Sequence, residues 1–288
     1  MPKNVVITGA NAGIGEAMTR IVAARGHRVT MACRNSDKAE AARAGILRDF
    51  PRADLVVGEL DLASLESIRR FADRSDDGVD VLINNAGSFP RREQRTSDGF
   101  EYQFGANYLG HFLLSHLMLP AVVAAAERAG SARIVHMSSV VHYLGSINES
   151  TFRDPEKYRP MRAYAQSKLA MIMFNAALAR RLPKSVYTVA MHPGGVATDI
   201  YRDLPWPVAH LTKAVLISPE EAALQGVALA LDADPGVPSG GYSSIQRPRS
   251  SSRRARDIAQ QERLYGSSCK LVQVDPLPTS VDAAFNGN

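Results

Sequence analysis

Cysteine is scarce in this chain of 288 residues, and its scarcity argues against a disulfide-rich protein and against a cysteine-bound metal. Cys33 and Cys269 are its two cysteines, and they lie far apart and outside any spacing that binds a metal. We therefore expect two reduced thiols, with no disulfide framework and no metal site.

Long hydrophobic runs are also missing. The most apolar stretch, residues 112–126, is too short to span a bilayer, and it contains Ser115, His116 and Pro120. The sequence leads from Met1 into the strand-like VVIT without the basic and apolar regions of a signal peptide. These features predict a cytoplasmic protein without a membrane anchor.

Charge of one sign is too dispersed to indicate a nucleic-acid partner. The formal net charge is +5, and the basic residues are mostly interleaved with acidic ones. Residues 246–256, QRPRSSSRRAR, hold five arginines but no aromatic residue. This composition favours a solvated surface segment over a nucleic-acid or membrane patch, so we expect no nucleic-acid partner.

Apolar residues are present in a regular arrangement of short runs that alternate with helix-like segments. The predicted strands cover residues 4–8, 27–33, 54–60, 80–84, 132–138 and 186–192, with a short last strand in 240–244. Strands separated by helices indicate βαβ units in a parallel sheet covered on both faces. The alternation runs without a linker, so we predict one catalytic domain over residues 1–270 and a tail over 271–288.

A glycine-rich stretch, TGANAGIG at residues 8–15, follows the first predicted strand and leads into a helix that begins near Gly13. Glycine allows positive φ and a close backbone approach, and a helix N-terminus offers unpaired N–H groups to a phosphate. The spacing G-x-x-x-G-x-G differs from the commoner G-x-G-x-x-G, so a turn without a ligand remains an alternative.

Arg34 directly follows the second predicted strand, where a dinucleotide fold carries its cofactor-selecting residue. An acid at this place binds the ribose hydroxyls of NAD, whereas an arginine accommodates the 2′-phosphate of NADP. The following Asn35 and Ser36 add no acid. The sequence therefore predicts NADP(H) as the preferred cofactor, with NAD(H) as the alternative. Arg34 also fits an exposed arginine that starts a loop and binds no cofactor.

Tyr164 and Lys168 lie four residues apart in YAQSK, which places them on one face of a helix. A tyrosine has an ordinary pKa of about 10, and a nearby ammonium group lowers it. The pair is suited to proton transfer with a carbonyl or alcohol. Taken alone, Y-x-x-x-K also fits a surface contact between a cation and an aromatic ring.

Several motifs occur in a fixed order along the chain, and their combination is more specific than any one of them. They are TGANAGIG (8–15), NNAG (84–87), FGANYLGHF (104–112), two serines (138–139), YAQSK (164–168) and PGGVATD (193–199). Together they resemble the short-chain dehydrogenase/reductase family, and ACRN, GELDL and SSVVHYLG are similar to its retinol dehydrogenase and protochlorophyllide reductase branch. The resemblance implies a doubly wound α/β fold of the Rossmann type, with about seven parallel strands and helices on both faces.

The resemblance also implies a catalytic set. Asn107 would hold a water in a proton relay, and Ser139, rather than Ser138, would hydrogen-bond the substrate oxygen. Tyr164 would transfer the proton, and Lys168 would lower its pKa and bind the nicotinamide ribose.

A larger set of residues is implied in cofactor binding. These are Gly9, Asn11, Gly13, Ile14 and Gly15 at the pyrophosphate, Arg34 at the 2′-phosphate, Asp61 and Leu62 at the adenine, Asn84, Ala86 and Gly87 beside the adenosine, and Pro193, Gly194, Val196 and Thr198 at the nicotinamide. Structural alternatives remain for two of them, because Asp61 also suits a cap on the following helix and Asn84 a cap on the fourth strand.

Two apolar segments bear on substrate and assembly. Residues 199–217 hold Trp206, the single tryptophan, and form either a substrate lid or a segment packed on the core. A lid would suit a bulky apolar or aromatic substrate, with Phe89, Tyr143 and Tyr158 as further pocket residues. The helix that starts at YAQSK is apolar nearly all round, so its outer face meets either a second subunit in a homodimer or the arginine-rich C-terminal segment.

The sequence thus predicts an oxidoreductase that transfers a hydride between NADP(H) and a small-molecule carbonyl or alcohol substrate. A bulky apolar or aromatic ketone or aldehyde is the expected substrate. The alternatives are a reductase of C=C bonds on the same fold and a cofactor-sensing protein without turnover.

Overall fold

A central sheet organises the computed structural model, which describes residues 1–74, 78–195, 217–245 and 247–279. Its strands are β1 Asn4–Thr8, β2 Arg28–Cys33, β3 Leu55–Glu59, β4 Val81–Asn84, β5 Ala132–Met137, β6 Val186–His192, β7 Tyr242–Ser244 and β8 Arg247–Pro248. The order is β3-β2-β1-β4-β5-β6-β7-β8, and every neighbouring pair is parallel except β7 and β8. The predicted parallel sheet is confirmed, and the two-residue β8 adds an antiparallel edge.

Helices connect the strands and cover both faces of the sheet. They are α1 Gly13–Ala24, α2 Ser36–Asp49, α3 Leu65–Asp73, α4 Tyr102–Ala129, α5 Pro160–Ala179, α6 Pro219–Leu231 and α7 Ile258–Val272. The start of α6 shows how the sequence sets a boundary: Ser218 caps the helix, and the Glu221 side chain accepts the backbone N–H of Ser218 in return.

Two hydrophobic cores lie on opposite faces of the sheet because successive side chains of a strand point in opposite directions. Val5 and Ile7 of β1 join the core that includes Met18 of α1. Val6, between them, joins the other core with Phe112 of α4 and Phe174 of α5. The doubly wound arrangement predicted from the alternation of strands and helices is therefore confirmed.

Helix α4 is longer than its most apolar stretch suggested. It spans 28 residues from Tyr102 to Ala129, and its most apolar window has a mean hydropathy of 1.7, so by length and composition alone it could cross a membrane. The expectation that this region is too short was wrong, because the helix begins ten residues before Phe112 and continues through a π turn at Gly105–Leu109. Within its most apolar window 61% is buried inside the fold, as in the core helix of a globular domain.

Helix α7 covers the outer face of α5. Tyr265 of α7 packs its ring against Phe174, and the Arg181 guanidinium lies 3.9 Å from the centre of the same Tyr265 ring. Glu262 of α7 pairs with both Arg180 and Arg181 at the end of α5. The outer face of α5 is therefore covered by the chain's own C-terminal helix.

The C-terminal boundary also differs from the prediction. The division at residue 270 falls inside α7, and the chain beyond it is anchored rather than loose as far as Leu277. The Leu277 carbonyl accepts a hydrogen bond from Arg181 Nε at 3.2 Å, and its N–H donates to the Tyr265 hydroxyl at 3.3 Å. Val274 and Leu277 pack on the core, and this apolar contact is what holds the segment.

Candidate active site

The glycine stretch forms the turn between β1 and α1 and leaves the start of α1 open. Gly9 and Gly13 have φ values of +65° and +53°, which favour glycine. A Cβ atom on Gly15 would lie 2.1 Å from the Gly9 carbonyl oxygen, so the loop closes only without that side chain. Ala12 at the N-cap provides no side-chain hydrogen bond, so the first N–H groups of α1 are available to an anion.

A cleft of about 540 Å³ lies beside this turn at the carboxyl ends of the strands. β1 pairs with β2 on one side and β4 on the other, so the chain changes direction across the sheet there, as ligand sites in this class of fold require. The predicted residues that line the cleft are Gly9, Asn11, Gly13, Ile14, Gly15, Arg34, Asp61, Leu62, Ala86, Gly87, Asn107, Ser139, Tyr164, Lys168, Pro193 and Gly194. The described residues do not include Val196, Thr198 or Trp206. The predicted substrate lid, which contains Trp206, therefore also lies outside them.

Arg34 marks one end of the cleft. Its Nη1 donates a hydrogen bond of 2.9 Å to the hydroxyl of Tyr102, the first residue of α4, and both side chains line the cleft. Asp61 lines the same cleft, while its Oδ1 accepts the N–H of Ala63 at 2.9 Å. Asp61 therefore closes its own turn before α3, whose N-cap is Ser64, as well as facing the cleft.

Asn84 is the predicted site residue that the structure takes away from the cleft. Its amide nitrogen donates to Ser115 Oγ at 2.7 Å and lies 3.0 Å from His136 Nδ1, and the residue is fully buried. Because side chains alternate along β4, the neighbouring Asn85 faces the cleft instead. We correct the assignment accordingly: Asn85 lines the cleft, and Asn84 holds β4 to the core.

Tyr164 and Lys168 lie one turn apart on α5, with the Lys168 ammonium nitrogen 5.5 Å from the centre of the Tyr164 ring. Lys168 Nζ donates to the Met137 carbonyl at the end of β5 at 3.0 Å, which fixes the long side chain in place. Burial lowers the pKa of Lys168 to about 8, so the ammonium is still largely protonated at neutral pH. The Phe89 ring meets the Tyr164 ring edge-on, with centroids 5.4 Å apart.

The two serines after β5 have different partners. Ser138 Oγ donates to the Lys168 carbonyl at 2.8 Å, so it ties the end of β5 to α5. Ser139 Oγ accepts the N–H of Val141 at 3.3 Å, and within the described ranges its hydroxyl donates to no partner. This leaves the Ser139 proton for a ligand and supports the predicted choice of Ser139 over Ser138.

Asn107 lies in the π turn of α4, and its side-chain amide makes two hydrogen bonds to the backbone of Ser88. Its Oδ1 accepts the N–H of Ser88 at 2.8 Å, and its Nδ2 donates to the Ser88 carbonyl at 2.9 Å. π turns of this kind are frequent at functional sites. Here the turn presents the buried Asn107 to the cleft beside Lys168.

Two proposed pocket residues have structural roles outside the cleft wall. The Tyr158 hydroxyl donates to the Pro90 carbonyl at 2.7 Å and accepts from Gln103 at 2.8 Å. The Tyr143 hydroxyl donates to the Ser250 carbonyl at 2.5 Å. These bonds tie surface segments together, whereas Phe89 contacts Tyr164 directly.

Sequence reasoning missed Asn85, Ser88, Tyr102 and His192, all of which line the cleft. Asn85 and Ser88 adjoin a recognised motif, and this proximity was the available signal. His192 directly precedes PGGVATD and carried the same signal, whereas Tyr102 carried none, because it reaches the site through a partner 68 residues away.

The fold and the cleft together define a nucleotide-binding α/β protein whose serine, tyrosine and lysine side chains meet at one end of the binding site. The family model of the short chain dehydrogenases matches residues 3–206. Retinol dehydrogenase 12 of Mus musculus is 38% identical over 94% of this chain and 87% of its own length. Retinol dehydrogenase 13 of Homo sapiens is 37% identical over 95% of this chain and 85% of its own length.

Solved structures of other proteins have a similar fold. A protein of Mycobacterium paratuberculosis without a described function has a TM-score of 0.79 and 35% identity, covering 96% of this chain and 95% of that one. An NADP-bound protein of Beutenbergia cavernae, described as an NAD(P)-dependent gluconate 5-dehydrogenase, has a TM-score of 0.67 and 26% identity, covering 84% of this chain and 94% of that one.

The chain belongs to the short-chain dehydrogenase/reductase family, in its retinol dehydrogenase branch. It is thus an oxidoreductase of alcohol or carbonyl substrates with a nicotinamide cofactor.

Proposed function

We propose that the protein is an NADP(H)-dependent oxidoreductase that interconverts a bulky apolar or aromatic ketone or aldehyde with the matching alcohol. The observation that carries the cofactor preference is Arg34, which follows β2 directly and lines the cleft with no acid at the next two positions. An arginine at this place accommodates the 2′-phosphate of NADP. Its bond to Tyr102 holds the guanidinium at the cleft wall.

The chain's own residues supply the proton and the orientation, while the cofactor, when bound, supplies the hydride chemistry. Ser139 and Tyr164 donate to the substrate oxygen as negative charge develops on it, which stabilises the transition state more than the ground state. The charged Lys168 favours the phenolate of Tyr164 after the proton has left. The glycine turn and the open start of α1 bind the pyrophosphate.

Two observations support an apolar substrate. The relatives are named for retinol, an alcohol with a long hydrocarbon skeleton. The Phe89 ring packs edge-on against Tyr164 and places an aromatic side chain beside the reacting end.

The cofactor preference is tested by replacing Arg34. In Arg34→Ala we expect the Kd of NADPH to rise about 10- to 100-fold, because hydrogen bonds to a charged group contribute about 1.5–3 kcal/mol. The Kd of NADH should change little. Arg48→Ala, which removes an exposed arginine of α2 outside the cleft, is the matched control and should leave both constants unchanged.

The substrate class is tested with a panel of ketones, aldehydes, quinones and conjugated alkenes, following the loss of reduced cofactor and identifying each product. Carbonyl reduction supports the proposal. Saturation of a C=C bond would identify the alternative reductase, and NADPH binding without turnover of any compound would favour a cofactor sensor.

A further inference from the structure

A closed ring of backbone and hydrogen bonds surrounds Gly87 in the cleft wall. Thr8, at the end of β1, bonds to the backbone of Asn85 and Ala86, and the chain continues from there to Ser88. Ser88 bonds to the Asn107 side chain. His111 closes the ring, because it contacts both the Asn107 carbonyl and Thr8. His111 is 1% exposed and lies outside the cleft lining, so it reaches the site through the residues it holds.

The hydrogen-bond directions around Thr8 fix the state of His111. Thr8 Oγ1 accepts the N–H groups of Asn85 and Ala86, each at 2.9 Å, which fills the two acceptor positions of a hydroxyl. Its single proton is then free to point to His111 Nε2 at 3.0 Å, with the Ile83 carbonyl as a more distant acceptor at 3.4 Å. His111 Nε2 must therefore be the acceptor.

The other ring nitrogen has the opposite role. His111 Nδ1 lies 3.1 Å from the carbonyl oxygen of Asn107, and a carbonyl oxygen only accepts, so Nδ1 carries the proton. A neutral ring protonated at Nδ1 satisfies both contacts, and burial, which lowers the pKa of His111 to about 3, keeps it neutral. The ring thus has a single arrangement of its protons.

The two nitrogens of His111 act on different parts of the site. Nε2 holds Thr8, which in turn fixes the backbone of Asn85 and Ala86 in the wall of the cofactor cleft. Nδ1 holds the backbone of Asn107, whose side chain is clamped to Ser88 and lies beside Lys168 in the cleft. A Cβ atom on Gly87 would lie 3.6 Å from Lys168 Nζ and 3.9 Å from Asn107 Oδ1, so the enclosed residue lies next to both groups.

We propose that His111 is a positioning residue that closes this ring, setting the cofactor wall through Nε2 and the Asn107 carbonyl through Nδ1. This inference rests on the oxidoreductase function proposed above. It goes beyond that function, because it predicts that the two contacts of one buried side chain affect cofactor binding and turnover separately.

Two substitutions separate the contacts, because a glutamine places a polar atom near the position of Nε2 and an asparagine places one near that of Nδ1. In His111→Gln, which keeps the contact with Thr8, we expect the Kd of NADPH to stay close to wild type while kcat falls about 10- to 100-fold. In His111→Asn, which keeps the contact with Asn107, the Kd should rise about 2- to 10-fold, as for one lost hydrogen bond, with a smaller loss of kcat.

Thr8 provides an independent check on the Nε2 contact. Thr8→Val removes the hydroxyl and with it the bonds to Asn85, Ala86 and His111, so it should raise the Kd of NADPH at least as much as His111→Asn does. Thr8→Ser keeps the hydroxyl and should bind NADPH as the wild type does. The double variant Thr8→Val/His111→Asn should bind NADPH about as weakly as Thr8→Val alone, since Thr8→Val already removes the bond that His111→Asn breaks.

NADPH binding, followed by the fluorescence of the reduced cofactor, needs no turnover and tests the Nε2 contact even if no carbonyl substrate is found. The melting temperature of each variant is measured in parallel. The proposal is contradicted if His111→Gln and His111→Asn change Kd and kcat in the same proportion. It is equally contradicted if both variants lower only the melting temperature, or if the Thr8 and His111 effects on Kd add in full.

Discussion

Gly15 shows how a single missing side chain shapes the cofactor turn. Its Cα approaches the Gly9 carbonyl so closely that a Cβ would lie 2.1 Å from that oxygen, far inside contact distance. The nearest atoms are the Gly9 backbone, which has little freedom to move away, and the Asn85 amide nitrogen, which is held by its bond to the Thr8 carbonyl. A methyl group at this position must therefore displace the turn or the start of α1, the part of the chain that faces the cleft.

We expect Gly15→Ala to abolish detectable NADPH binding and to lower the melting temperature. The matched control is Gly266→Ala in α7, the same chemical change at a helical position where a Cβ meets nothing within 4 Å. That control should keep NADPH binding and raise the free energy of unfolding by about 0.5–1 kcal/mol. Calorimetry of both variants with and without NADPH provides the comparison, and normal cofactor binding by Gly15→Ala would show that the turn does not contact the cofactor.

At the scale of elements, α5 holds Tyr164 and Lys168 in place because it is packed on both sides. One side lies on the sheet and the other under α7, where the Tyr108 hydroxyl and Ser268 Oγ, 2.7 Å apart, also link α4 to α7. The pairs of Glu262 with Arg180 and Arg181 close the end of this interface. The helix that carries the proposed catalytic pair is therefore held by a segment far from the cofactor turn in sequence.

Glu262 makes this interface sensitive to acid. Its hydrogen bonds with Arg181, and then with Arg180, lower the pKa of its carboxyl group from 4.5 to about 2. Because the folded-state pKa is lowered, the stabilisation is complete above the unfolded value of 4.5 and is lost as the pH falls toward about 2. The Glu262 side chain is 35% exposed, so solvent screening reduces the effect.

We expect Glu262→Gln to lower the free energy of unfolding by about 1 kcal/mol at pH 7, with the difference from wild type shrinking below pH 4.5 and nearly absent only at about pH 2. Urea unfolding at each pH measures it. Glu66→Gln, which breaks an exposed pair with Arg70 on α3, should cost less than about 0.5 kcal/mol. A difference that does not depend on pH would mean that the Glu262 charge is unimportant.

At the scale of the whole molecule, local signals predicted most of the fold. The predicted strand boundaries and the glycine turn are within one or two residues of their observed positions, because the alternation of side chains acts between near neighbours. The ordered motifs predicted the family, which the relatives confirm. The resemblance also implied a common cofactor site for many of the residues that now line the cleft.

Features that depend on distant contacts escaped prediction. The bond between Arg34 and Tyr102, the contact between Thr8 and His111, and the cover of α5 by α7 join residues 68 or more positions apart. The assignment of Asn84 failed for a local reason, since the register of β4 decides which of two adjacent asparagines faces the cleft. The anchored chain up to Leu277 was missed because its bond with Arg181 joins residues 96 positions apart.

The central claim is that Tyr164 transfers the proton in an NADPH-dependent carbonyl reduction, and Tyr164→Phe tests it most directly. With a ketone or aldehyde that the wild type reduces, kcat should fall about 10²- to 10⁴-fold, while the Kd of NADPH stays close to wild type because the ring and Lys168 remain. Tyr187→Phe, which removes a hydroxyl bonded to the Val237 carbonyl outside the cleft, should leave both values unchanged. A Tyr164→Phe enzyme that reduces the same carbonyl at most of the wild-type rate would contradict the account.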